Sequence, residues 1–212
     1  MTTKWMSIVV LALTVEGCAF RQPPVVAMPP PPPPPPPAPA PQLSVFNDGE
    51  YWVLLNELRY EMGNTGLTIA VPRGFVTDLT SVPSAVRSAV SVMGRHGRAA
   101  IVHDYLYWQQ ECTREQADQI MVIAMVESGV SANDIFGIHL ALRLFGGPAW
   151  ANNGTERQQG LPRRVPEPGA LPPLAEWRSF RRDLYVHGAR PDPVAATPPA
   201  YCAAAMRTNI GQ

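Results

Sequence analysis

The pattern of apolar and polar positions divides the middle of the chain into a β-rich part and a helical part. Stretches rich in β-forming residues come first, at 51–55 and 58–61, and after the glycine-containing turn 63–66 a third apolar stretch follows at 67–71. Turn residues between two such stretches are typical of a hairpin. We therefore expect a small antiparallel sheet or hairpin at the start of a domain spanning residues 43–150.

Helical periodicity follows the β-rich part. The stretch 98–109 contains no helix breaker and places Ala99, Val102 and Leu106 on one face. This spacing predicts a helix with one apolar face.

Two further helices are marked by their end signals. Thr113 and Gln116 have the spacing of a capping box, and Gly129 is the expected stop of the helix that begins there. Ser131 can cap a third helix, which Gly146-Gly147-Pro148 should end. A small sheet followed by about three helices makes this an α+β domain, with proline-rich flanks that we expect to be disordered.

The first 17 residues have the pattern of an export signal. Lys4 precedes an apolar run of roughly 11 residues, 5–15, which suits a signal peptide and is too short to span a bilayer. The segment Val15-Glu16-Gly17-Cys18 resembles the lipobox of bacterial lipoproteins, which implies that Cys18 carries a lipid anchor and that the protein is an outer membrane lipoprotein facing the periplasm. Alternatively, Cys18 is an ordinary cysteine.

Residues 18–42 are dominated by proline, with an unbroken run at 29–37. Proline fixes φ and lacks an N–H donor, so we expect a stiff polyproline II spacer that holds the domain roughly 60 Å from its anchor. The alternative is a ligand for a proline-binding groove.

The segment 151–212 is again rich in proline, apart from one amphipathic stretch at 174–186. Trp177, Phe180 and Leu184 recur at helical spacing there, with Arg178, Arg181 and Arg182 between them. This pattern predicts a short helix that either docks onto the domain or lies on an anionic lipid surface.

Charge and cysteine content narrow the class of partner. The formal net charge is zero and no dense basic patch occurs, which argues against a nucleic-acid partner.

Beyond Cys18, the chain has Cys112 and Cys202. In an oxidising envelope compartment these two could pair and tie the tail to the domain.

Three motifs resemble a known family. The stretches VPRGFVTDLTSVP, GRHGRAAIVHDYLY and TREQADQIMVIAM occur in this order and resemble the domain of unknown function 1353, found in bacteria and tailed phages. The family name implies no activity. The resemblance does imply that the polar residues of the three motifs form one cluster: Asp78, Ser81, His103, Asp104, Tyr107, Arg114 and Asp118.

The helix motif also resembles part of the phospholipases A2. His103 and Tyr107 lie four residues apart on one helix face, and Asp104 lies on the adjacent face. In the similar His-Asp-x-x-Tyr helix of secreted and parvoviral phospholipases A2, histidine is the base, the adjacent aspartate binds calcium, and a later aspartate supports the histidine. The resemblance implies His103 as base, Asp104 as calcium ligand and Asp118 as the supporting residue.

The calcium part of this hypothesis needs other oxygens. Calcium takes six to eight oxygen ligands, and the glycine-rich calcium loop of those enzymes is missing here. Asp78 and the surrounding 77–81 segment, including Thr77 and Ser81, would have to supply them. The expected function is then calcium-assisted hydrolysis of an ester such as a phospholipid.

Two alternatives remain open from the residues alone. In the first, the polar cluster braces the interior of a non-catalytic domain that binds an envelope protein or cell-wall partner, and Arg114 pairs with Asp118. In the second, Ser81, His103 and Asp118 form a hydrolytic triad, although Ser81 lacks the Gly-x-Ser-x-Gly context.

Overall fold

A computed structural model describes residues 40–79 and 96–208 of the chain. These residues belong to one unit, Pro39–Gln212, whereas the unit Met1–Ala38 lies outside them. The predicted signal peptide, Cys18, nearly all of the proline-rich linker and Ser81 therefore lie outside the described residues.

The β-rich part forms two small antiparallel sheets. Three strands form one sheet in the order β1-β2-β5, and β3 pairs with β4 in a hairpin. The strands are β1 (Leu43–Val45), β2 (Trp52–Leu54), β3 (Leu58–Met62), β4 (Leu67–Val71) and β5 (Val76–Thr77). The hairpin turns through a 3₁₀ segment at Gly63–Thr65, and Gly66 has a φ of 70° that favours glycine.

Strand β3 shows the alternation that a half-buried strand requires. Leu58, Tyr60 and Met62 point into the core, while Arg59 and Glu61 are exposed. Because side chains alternate across a strand, this register gives the hairpin one apolar face for the helices to cover.

Five α-helices follow among the described residues, where the sequence predicted about three in the domain and one short helix at 174–186. They are α1 (Gly97–Gln109), α2 (Arg114–Glu127), α3 (Ala132–Gln158), α4 (Trp177–Val186) and α5 (Ala200–Ala205). Small antiparallel sheets followed by helices confirm the α+β class. None of the helices in the described part of the chain is both long and apolar enough to cross a membrane.

The predicted helix starts are confirmed, and one predicted helix end is wrong. Thr113 and Gln116 form a complete capping box at α2, and the Ser131 hydroxyl accepts a hydrogen bond from the Asp134 amide at the start of α3. Helix α3 does not end at Gly146-Gly147-Pro148 but continues to Gln158. Gly146 and Asn153 are buried on its inner face, so tertiary packing outweighs the low helix propensity of glycine and proline.

The described residues form two apolar cores. The larger one lies between the β3–β4 hairpin and helices α1, α2, α3 and α5. The smaller one consists of Phe46, Val53, Val76, Val165 and Trp177. The amphipathic segment predicted at 174–186 thus docks onto the domain as α4, through Trp177.

A disulfide fastens the end of the chain to the helical core. Cys112, in the loop between α1 and α2, is bonded to Cys202 of α5, with a Cα–Cα distance of 5.3 Å. The two cysteines are 90 residues apart in sequence. The cross-link therefore closes a long loop, for which the loss of unfolded-state entropy is large.

Candidate functional site

Helices α1 and α2 bring four polar side chains into the larger core. His103 and Tyr107 lie one turn apart on α1, and Arg114 and Asp118 lie one turn apart on α2. His103 is 1% exposed, Tyr107 0% and Asp118 3%. Such groups are costly to bury unless they are paired, so their partners determine what the cluster does.

Asp118 is the centre of the cluster. Its Oδ1 lies 2.9 Å from His103 Nε2 and accepts a hydrogen bond of 2.7 Å from the Tyr107 hydroxyl. Its Oδ2 lies 3.3 Å from Arg114 Nη1. Because an ionised carboxylate only accepts, the His103 proton belongs on Nε2 in the neutral imidazole, and Nδ1 carries the lone pair.

The surroundings of Asp118 and Tyr107 favour an ionised carboxylate and a neutral hydroxyl. Burial alone would raise the pKa of Asp118, but the hydrogen bond and charge of His103, the hydrogen bond from Tyr107 and the charge of Arg114 together outweigh it and hold the pKa below its ordinary value. Burial and the bond to Asp118 raise the pKa of Tyr107 far above its ordinary value. Tyr107 is therefore a permanent donor and Asp118 a permanent acceptor near neutral pH.

Helix α3 closes the cluster from a third side. Arg114 Nη1 also donates to the Leu142 carbonyl oxygen at 3.1 Å, and the Trp150 ring packs edge-on against Tyr107. A Cβ on Gly146 would lie 2.7 Å from the Tyr107 hydroxyl and 3.4 Å from Arg114 Nη1. The absence of a side chain at Gly146 is thus what allows α3 to approach.

Asp104 belongs to a separate set of contacts. Its Oδ2 accepts hydrogen bonds from the Thr77 hydroxyl at 2.5 Å and from the Leu79 amide at 3.1 Å. Leu79 has a φ of 53°, a left-handed conformation that costs a non-glycine residue energy. The carboxylate therefore fixes the chain just after β5, where half-buried Asp78 also lies.

The structure thus divides the predicted cluster in two. It brings His103, Tyr107, Arg114 and Asp118 together, and it joins Asp104 to Thr77. Among the described residues, no three His, Cys, Asp or Glu side chains are grouped so that they could hold a metal ion.

Sequence reasoning missed a cationic cluster around Trp108. The guanidinium groups of Arg157, Arg163 and Arg181 lie 5.4–5.8 Å from the centre of its ring. Arg181, one of the three arginines between the apolar positions of the 174–186 stretch, is 8% exposed and bonds Glu156 at 2.7 Å. The sequence does not indicate whether an arginine between apolar positions is buried, because its long side chain can extend either toward the core or toward solvent.

Gly146 was missed as a contributor to the site, having been interpreted only as a helix stop. A glycine inside an apolar helical pattern is the available signal for a close approach by a neighbouring group.

The fold and the cluster define an α+β domain with a buried His/Asp pair, and a comparison with known families adds one assignment. Residues 52–141 match the family model described as protein of unknown function (DUF1353). This part of the chain matches that family, as the three sequence motifs predicted. No curated protein and no solved structure matches the chain.

Proposed function

We propose that this protein is an ester hydrolase in which His103 is the general base and Asp118 orients it. The observation that carries the proposal is the double contact of Asp118, which binds His103 Nε2 and the Tyr107 hydroxyl through the same oxygen. A carboxylate placed on one imidazole nitrogen fixes the tautomer and leaves the other nitrogen as a base. No described residue hydrogen-bonds His103 Nδ1.

The chemistry needs no covalent intermediate. His103 Nδ1 takes a proton from water as the water oxygen attacks the acyl carbon, and the imidazolium then returns that proton to the alcohol oxygen as the ester C–O bond breaks. One water and one ester give one acid and one alcohol. Asp118, held ionised by its contacts with His103, Tyr107 and Arg114, stabilises the imidazolium while it carries the proton.

The substrate class in this proposal is a phospholipid. This choice rests on the resemblance of the His103, Tyr107 and Asp118 sequence motif to that of the phospholipases A2, in which a second-helix aspartate supports the base. We further propose that the chain is an envelope lipoprotein, anchored through Cys18 and a proline-rich spacer beside its substrate. The disulfide between Cys112 and Cys202 supports an oxidising compartment, since such bonds are rare in the reducing cytosol.

Calcium does not fit the described residues. Asp104 Oδ2 already accepts hydrogen bonds from the Thr77 hydroxyl and the Leu79 amide. Neither contact adds an oxygen ligand for a calcium ion at Asp104 Oδ2. Because calcium takes six to eight oxygens, no step of the proposed reaction is assigned to a metal.

A second candidate function is a non-catalytic envelope module that binds a protein or a cell-wall component. The near-complete burial of His103, Tyr107 and Asp118 favours it, because a fully paired interior network also specifies a unique packing. In this case His103 is a brace and its replacement costs stability alone.

The experiment follows hydrolysis of phospholipid vesicles by the full chain and by His103→Asn, with unfolding curves for both. The ester-hydrolase proposal expects a loss of at least about 100-fold in rate, the usual contribution of a general base, for protein that remains folded. Tyr107→Phe is the matched control, because it removes a contact of Asp118 without removing the base. Absence of turnover by the folded wild type would contradict the proposal and favour the binding module.

A calcium titration of the same samples, with Asp104→Asn beside the wild type, separates a metal-assisted reaction from the metal-independent one. Rates and melting temperatures that do not respond to calcium agree with the contacts of Asp104. A calcium response that Asp104→Asn abolishes would contradict that assignment.

A further inference from the structure

A groove opens on the surface beside the start of α4. Its volume is about 520 Å³, which lies within the range of ligand sites. The turn at 172–175 lines one part of it, and Ser179, Phe180 and Asp183 of α4 line another. Glu176, the residue before the helix, also lines the groove. We call this feature the α4 groove.

Hydrogen bonds hold the lining of the α4 groove in place. The Ala175 amide donates to the Pro172 carbonyl oxygen at 3.0 Å, and the Ala175 carbonyl oxygen accepts a hydrogen bond of 2.8 Å from the Asn47 amide. The Trp177 amide at the start of α4 donates to Asp48 Oδ2 at 2.8 Å. Because a preformed site loses little conformational freedom on binding, a ligand does not have to order this groove first.

Most of the lining is apolar. Leu174 is 78% exposed. Phe180 is half-buried, with its ring centre 6.0 Å from that of Phe46. Pro172 and Pro173 are exposed beside them and offer no backbone N–H. An apolar group of a ligand would remove these surfaces from water, which is favourable.

The charged side chains that line the α4 groove are acidic. Glu176 and Asp183 are exposed, and within the described part of the chain their carboxylates form no hydrogen bond or ion pair. Helix α4 also carries Arg178 and Arg182, but neither of them lines the groove. The local charge therefore attracts a cationic ligand and repels an anionic one such as a lipid phosphate.

The spacing of the two carboxylates favours a peptide over a single cationic headgroup. Glu176 and Asp183 are seven residues apart, a rise of about 10 Å along a helix, which suits two cations better than one. A peptide in the polyproline II conformation advances about 9 Å in three residues, so basic residues at every third position would match both carboxylates. The apolar residues between them would cover Leu174 and Phe180. We infer that the α4 groove binds a segment of a protein partner in which basic residues recur among apolar ones.

The test is fluorescence anisotropy with a labelled peptide of repeated Lys-Leu-Pro. It uses the full chain carrying Cys18→Ala, so that no lipid can be attached, and adds Glu176→Gln and Asp183→Asn, singly and together. The matched control is Glu61→Gln, because Glu61 is exposed on β3 and does not line the groove. We expect saturable binding by the parent, no change in the control, and a dissociation constant at least about fivefold higher in the double variant, the effect of losing two exposed ion pairs. Absence of binding by the parent, or an equal effect of Glu61→Gln and Glu176→Gln, would overturn the inference.

Two further peptides separate the charge from the apolar surface. Repeated Glu-Leu-Pro reverses the charge, and repeated Lys-Ser-Gly removes the apolar side chains, so each should bind at least about tenfold more weakly. Leu174→Ser should weaken binding of the Lys-Leu-Pro peptide without changing the melting temperature, because Leu174 is exposed. Equal binding of either altered peptide would overturn the inference.

A competition experiment covers the other occupant. Phosphatidylcholine vesicles that displace the Lys-Leu-Pro peptide would assign the α4 groove to a lipid headgroup and overturn the inference, whereas we expect no displacement. The result is separate from the proposed ester hydrolysis, because none of the lining residues is His103, Tyr107, Arg114 or Asp118.

Discussion

Replacing Gly146 with alanine tests the closure of the site by α3. Alanine in a helix interior ordinarily stabilises by about 1 kcal/mol relative to glycine. Here the added Cβ would lie 2.7 Å from the Tyr107 hydroxyl, and overpacking of this kind costs about 1–3 kcal/mol. We therefore expect Gly146→Ala to lower the free energy of unfolding by roughly 1–2 kcal/mol, measured by urea denaturation followed by circular dichroism.

Two further variants test whether the contact with Tyr107 causes the loss of stability expected for Gly146→Ala. Gly137→Ala lies on the same helix in open space, so it should be stabilising by roughly 0.5–1 kcal/mol. Tyr107→Phe alone should cost about 1.5–3 kcal/mol, because it removes a hydrogen bond to a charged acceptor. In the Tyr107→Phe background the alanine at position 146 loses its closest contact, and its cost should disappear. If Gly146→Ala were as stabilising as Gly137→Ala, the close approach of α3 would be refuted.

Three further predictions concern other parts of the structure. The pKa of Asp118 is held below its ordinary value, so the ionised carboxylate contributes to stability above about pH 4. This contribution is lost as the pH falls through the folded-state pKa. Asp118→Asn should therefore weaken the dependence of the unfolding free energy on pH in the acid range. Reduction of the Cys112–Cys202 disulfide should cost about 4–5 kcal/mol for a loop of this length, and unchanged melting in reductant would contradict it. Trp177→Ala removes a side chain that is 2% exposed and should cost about 3–5 kcal/mol, whereas an unchanged denaturation midpoint would show that α4 does not anchor the smaller core.

Local signals were sufficient for the helix starts and the hairpin. The capping box at Thr113 and Gln116 and the cap at Ser131 involve residues three apart in sequence, so their geometry is already implied by their spacing. The alternation in β3 likewise depends on neighbours within one strand.

Long-range contacts explain what the sequence could not predict. The local pattern predicts Gly146 as a helix stop, but in the structure Gly146 lies inside α3 with the Tyr107 hydroxyl close beside it. Arg181 falls between the apolar positions of its stretch, yet it is buried between Trp108 and Trp177 with Glu156 as its partner. In both cases the residue that decides the environment is distant in sequence, so the pattern of neighbouring residues along the chain does not include it.

In the candidate site, too, local spacing was predictable from the sequence and long-range contacts were not. The four-residue spacing of His103 and Tyr107 predicts that they share one helix face, and the structure brings Asp118 into contact with both. The partners of Asp104 depend on how the chain turns after β5, where the Leu79 amide supplies a contact that no side-chain pattern announces.

The most direct measurement of the central claim is the protonation of His103 by ¹⁵N nuclear magnetic resonance of the imidazole nitrogens. The proposed base requires a neutral ring near pH 7 with the proton on Nε2, facing Asp118, and the lone pair on Nδ1. The spectrum should show this tautomer in the wild type, and Asp118→Asn should disturb it. A ring protonated on both nitrogens across the neutral range, or one with its proton on Nδ1, would contradict the assignment of His103 as a general base.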